Sequence, residues 1–110
     1  MLYISGNDIK LTRGDTAYLT VPIKMDNGEE YAMQNGDTLI LSVKKNVKEL
    51  EYGFQIFVQN DNTIHIKPED TEKLDFGKYK YDIQLNKADG DRFTLIDVSM
   101  FEILPEVTCE

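Results

Sequence analysis

Cysteine is nearly missing: Cys109 is the only one in 110 residues, so no internal disulfide can form and stability has to come from packing. Histidine occurs once, at His65, and tryptophan not at all. One histidine and one cysteine cannot supply a closed zinc site. No run approaches the ~20 apolar residues of a membrane-spanning helix. The segment after Met1, Leu2-Tyr3-Ile4-Ser5-Gly6-Asn7-Asp8, has neither the basic start nor the apolar stretch of a signal peptide, so a soluble protein made in a cytoplasm is expected. Basic residues are scarce: twelve against twenty acids leave a net charge of −8. Such a surface repels phosphate backbones and anionic membranes, so neither nucleic acid nor membrane is an expected partner.

Chemistry is equally thin. There is no Gly-rich phosphate loop and no nucleophile elbow. His65 lies between Ile64 and Ile66, which point the other way in a strand, so His65 faces the wetter side without a partner that would make it a base. Cys109 has no neighbouring basic residue to favour a thiolate. Asp26, Glu69-Asp70 and Asp89-Gly90-Asp91 bring hard oxygen ligands into turns, where calcium could be held, but aspartate is favoured in turns for its own hydrogen bonds. Arg13-Gly14-Asp15 spells an integrin-recognition tripeptide, and each of its residues is also ordinary turn or surface material. Tyr18, Tyr31, Tyr52 and Phe57 offer an aromatic platform for carbohydrate, or simply packing. No catalytic, cofactor-binding or metal-binding residue is assigned, and no cofactor is expected.

What the sequence does have is alternation. Thr16 to Ile23 puts Ala17, Leu19, Val21 and Ile23 on one face; Thr38 to Lys44 does so with Leu39, Leu41 and Val43. Phe54 to Gln59, Ile64 to Ile66 and Lys78 to Asn86 repeat the pattern, the last with Tyr79, Tyr81, Ile83 and Leu85. Period two marks strands with one dry and one wet face. Asn27-Gly28, Asn35-Gly36, Asn60-Asp61-Asn62 and Asp89-Gly90 supply turns, and Glu30 to Met33 reads as a short strand. The last strand, Arg92 to Leu104, changes phase near Asp97, which predicts a β-bulge or a change of sheet. Pro22 inside its run predicts an edge or a bulge. Pro68 to Leu74, with proline first and acids in the first turn, predicts one or two turns of helix.

These elements predict an all-β fold: an immunoglobulin-like antiparallel β-sandwich of about seven or eight strands with one short helical turn. A single domain is expected over residues 1–110. The expected core is Ala17, Leu19, Val21, Leu39, Leu41, Val43, Ile56, Val58, Ile64, Ile66, Tyr79, Tyr81, Ile83 and Leu85. Tyr79, following the helix and Gly77, is placed as a corner tyrosine, its hydroxyl bonded to backbone in or near the Pro68 to Leu74 turn.

Five blocks together resemble a known family. They are Ile9-Lys10-Leu11-Thr12-Arg13-Gly14-Asp15-Thr16-Ala17, Gly36-Asp37-Thr38-Leu39, Ile66-Lys67-Pro68-Glu69-Asp70-Thr71, Tyr79-Lys80-Tyr81-Asp82-Ile83-Gln84-Leu85 and Ala88-Asp89-Gly90. In order and spacing they look like the small phage and prophage domains related to the N-terminal domain of the baseplate upper protein of tailed phages of Gram-positive bacteria. The resemblance implies a non-enzymatic virion structural protein, a tail or baseplate component that docks to other virion proteins or to copies of itself, present in the host cytoplasm before assembly and then in the virion. The family carries no catalytic residues, so none are transferred. The main alternative is a carbohydrate-binding or cell-surface adhesion module.

Overall fold

An alternating strand has one face that must be kept from water, and this chain buries that face between two layers. A computed structural model describes residues 2–24 and 27–107. Its strands are β1 (Leu2–Ser5), β2 (Asp8–Thr12), β3 (Ala17–Thr20), β4 (Thr38–Lys44), β5 (Phe54–Gln59), β6 (Thr63–Ile66), β7 (Gly77–Asn86) and β8 (Arg92–Leu104), with one turn of helix, α1 (Pro68–Thr71), before β7. A six-stranded sheet in the order β1-β2-β8-β7-β4-β5 faces a ribbon of β3 and β6. This is the all-β sandwich with one short helical turn that the alternation predicts. The pairing departs from it in one place: β2 runs parallel to β8, with Ile9 beside Phe101 and Leu11 beside Ile103, while the other ladders are antiparallel. The β1–β2 hairpin, turning at Gly6-Asn7, delivers β2 to that position.

The core lies between the layers. Leu39, Leu41 and Val43 of β4, Tyr79, Tyr81, Ile83 and Leu85 of β7, and Ala17, Leu19, Ile64 and Ile66 of the ribbon are all buried, as is Val21 after β3. Phe101 and Ile103 of β8 and Ile9 and Leu11 of β2 join them. Two expected core residues, Ile56 and Val58, are only partly buried, because β5 is an edge strand and a two-stranded ribbon cannot cover the full width of six strands. Phe54, at the other end of β5, is buried and meets Phe101 edge-on at 5.7 Å.

The phase change in β8 is a bulge within one sheet. Tyr81 faces Ser99 but Ile83 faces Ile96, so Asp97 and Val98 together oppose Asp82; a second irregularity leaves Leu95 extra. Each insertion resets which parity faces the core. Pro22 does not sit inside a strand. β3 ends at Thr20, and Asn62 takes over by accepting from Val21 N–H (2.8 Å) through its carbonyl and donating its side-chain amide to Val21 O (3.0 Å). The strand expected at Glu30 to Met33 shrinks to one bridge, Lys24 to Glu30.

The helical corner is as expected. Asp70 accepts the Lys67 N–H at 2.8 Å, half of a capping box. Tyr79 donates its hydroxyl to Asp75 O at 2.9 Å, just past the helix, and burial pushes that phenol's pKa up. Tyr79→Phe removes one part-buried hydrogen bond while leaving the ring packed. It should lower stability by about 0.5–1.5 kcal/mol, read from the urea midpoint; an unchanged midpoint would show that the corner does not depend on it.

Candidate functional site

Strand register determines which polar side chains stand together on the outer, solvent side of the six-stranded sheet. Reading across it, Phe57, Ile40 and Gln84 form one row, Gln55, Ser42 and Asp82 the next, then Lys44, Lys80 and Met100, and finally Lys78, Glu102, Lys10 and Tyr3. The face therefore grades from a mostly apolar row, through a hydrogen-bonding row with one carboxylate, to rows that are mainly basic. The bulge that lifts Val98 out on one side, and the 45–53 loop carrying Val47 and Tyr52 on the other, turn its middle into a cleft of about 340 Å³. Gln55 donates to Ser42 Oγ at 2.9 Å. Burial raises the Asp82 carboxyl's pKa, opposed by Lys44 and by a hydrogen bond from Gln84. The Lys44 ammonium lies 4.7 Å from the Tyr52 ring centre.

The edges of the same sheet form a second candidate surface. Both edge strands, β1 (LYIS) and β5 (FQIFVQ), lack charge and proline in a chain that is 29% charged. They expose Tyr3 (53%), Ile4 (56%) and Phe57 (60%). Natural edges are usually blunted by lysine, proline or bulges; these are not.

A third cluster is internal. Asp37, at the mouth of β4, is buried. Its Oδ2 accepts the Tyr31 hydroxyl and Gln34 N–H (2.9 Å), and its Oδ1 accepts Ala88 N–H (2.9 Å). These bonds hold the carboxyl below its ordinary pKa, the Tyr31 bond contributing most, while the Tyr31 phenol is pushed up to about 12 by the same bond. Gly36 lies beside it at φ +94°, where a Cβ would come within 2.8 Å of Ala88 Cβ. The cluster pins the segment before β4 to the β7–β8 loop and is structural. Read as a sequence, Gly36-Asp37 looked like turn material only; a buried fate for Asp37 had no local signal.

The residues singled out in the sequence scatter. His65 stacks on Tyr18 across the ribbon, 4.5 Å between ring centres and 11° between planes, on its outer side. Of the other aromatics, Tyr31 serves Asp37, Tyr52 borders the cleft and Phe57 lies one row away, so the four share no single platform. Arg13 is committed to structure: it makes a bidentate ion pair with Glu106 (2.9 Å), donates to Leu74 O and stacks on Phe76 at 4.1 Å. That engagement, with Gly14 N–H bonded to Thr71 Oγ1, makes Arg13-Gly14-Asp15 a fastening between chain segments. Asp89 accepts from Asp91 N–H (2.9 Å), and Asp70 caps α1, so both work within their own turns. Among the described residues no three His, Cys, Asp or Glu side chains are grouped to hold a metal ion; Asp26 and Cys109 lie outside the described residues. No protein-family model, curated protein or solved structure matches this chain.

Proposed function

We propose that this protein is a non-enzymatic virion structural component, a phage or prophage tail or baseplate part that docks to other virion proteins or to copies of itself. The observation carrying this reading is the pair of uncharged, unblunted edge strands with Tyr3, Ile4 and Phe57 exposed on them. An edge strand offers a row of free backbone donors and acceptors that a partner strand can complete. The family resemblance of the five sequence blocks points the same way. The charge of −8 keeps such a part soluble until assembly. A lasting contact would bury more than about 1,000 Å² in total, so side chains beside the edges would join the backbone pairing.

The test is light scattering on the purified chain, with pull-down of the proteins encoded beside it. Ile4→Lys and Phe57→Lys each put a charge on an edge without touching the core, and at least one of them should abolish the association. A chain that stays monomeric and retains none of those proteins would reject the reading. A second reading, a carbohydrate-binding module, is favoured by the outer-face cleft, where Tyr52 stands beside hydrogen-bonding Ser42, Gln55 and Asp82.

A further inference from the structure

In the β4–β7 ladder Lys44 stands directly opposite Lys80. Like charges in that position destabilise a sheet. The chain has twenty acids to spare, yet among the described residues neither lysine makes an ion pair. Both lysines line the cleft, and the next row places the Asp82 carboxylate in it, with which neither makes an ion pair. Two cations against one anion leave the cleft with one excess positive charge.

We propose that this cleft binds an acidic saccharide, with Lys44 and Lys80 holding its carboxylate and Ser42, Gln55, Asp82 and Gln84 meeting its hydroxyls. This rests on the second reading above, and docking through the sheet edges stands or falls separately. Three features select the ligand class. An anion placed between the two lysines relieves the like-charge pair, which a neutral sugar cannot do. The neighbouring row mixes an acceptor-only carboxylate, an amide and a hydroxyl, with the Gln84 amide one row further on; vicinal sugar hydroxyls both donate and accept, so they can satisfy all of these. Inorganic phosphate and poly-glutamate lack the vicinal hydroxyls that would satisfy this row. The cleft, at about 340 Å³, falls within the range of small-ligand sites, and the Tyr52 ring at its rim, 4.7 Å from the Lys44 ammonium, holds that cation at the cleft wall.

The experiment is titration of the full chain, followed by calorimetry and amide NMR, with four probes: a galacturonic acid trimer, an uncharged galactose trimer, poly-glutamate and inorganic phosphate. The acidic trimer should bind best and shift the Ser42, Asp82 and Gln84 signals. Lys44→Gln combined with Lys80→Gln should weaken it by roughly tenfold or more, with circular dichroism confirming an unchanged fold. Lys67→Gln combined with Lys73→Gln, on either side of α1, should leave binding as it was. Equal binding of acidic and uncharged trimers, equal binding of poly-glutamate or phosphate at the same residues, indifference to the Lys44 and Lys80 changes, or no binding of the acidic trimer would each overturn the proposal.

Discussion

Phe101→Ala should lower stability by about 3–5 kcal/mol, out of the roughly 5–15 kcal/mol that holds a domain together. Phe101 is fully buried and sits where the sheet changes direction, with Tyr79 as its antiparallel partner on β7 and Ile9 as its parallel partner on β2. Its ring meets Phe54 and Tyr81 edge-on, at 5.7 and 6.1 Å between centres and 77° in both cases. Truncation removes the transfer free energy of the ring and leaves a hole lined by residues from β2, β5 and β7, which three separately anchored strands cannot all move to fill. Phe101→Leu fills part of that hole and should cost less. Urea denaturation measures both, and a loss below about 1 kcal/mol for the alanine variant would mean that the site collapses freely.

Asp37→Asn should produce the second large effect, and one that depends on pH. The carboxylate accepts three hydrogen bonds, from Tyr31, Gln34 and Ala88. The amide has one oxygen and an NH₂ group that meets a donor where an acceptor is required. At pH 7 the thermal midpoint should fall by roughly 5–15 °C. Because the folded state holds the Asp37 carboxyl below its ordinary pKa, its contribution is present above the unfolded carboxylate value near ~4 and is lost as pH falls through the folded value. The gap between wild type and Asp37→Asn should therefore be widest at neutral pH and narrow as the buffer is taken towards pH ~3. Glu72→Gln, a change at an exposed acid just past α1, serves as the control. A gap independent of pH would show that shape, and not charge, is what the site requires. The opposite limb belongs to Tyr31, whose phenol is raised to about 12: its contribution is present below the unfolded value near ~10 and is lost as pH rises through the folded one.

Local pattern carried much of the fold. β4, β5 and β8 begin and end where the alternation does, and the phase slip in β8 was visible as a parity change around Asp97. The corner tyrosine was legible from helix, glycine and strand in succession. The amino-terminal hairpin was less so. Leu2-Tyr3-Ile4 and Ile9-Lys10-Leu11 are too short to stand out, although Gly6-Asn7 between them is a two-residue turn signal. Ile9 and Leu11 are buried because β8, some ninety residues later, lies beside them. Ile56 and Val58 went the other way: correct in parity, they sit on an edge that the narrow ribbon leaves partly uncovered.

The candidate cleft was illegible for the same reason. Lys44, Lys80, Ser42, Gln55 and Asp82 lie on three strands, and nothing near any one of them announces the others. By itself the sequence determined which residues face inward on each strand, where the chain turns, and that the layers are made of β-structure. Those choices follow from side-chain period and turn chemistry, which act over a few residues. Tertiary structure alone decided the parallel β2–β8 seam, the burial of Asp37, the bare edges at β1 and β5, and the facing of Lys44 by Lys80. Each of these depends on which strand lies beside which and in what register, and that is a property of the whole packed chain.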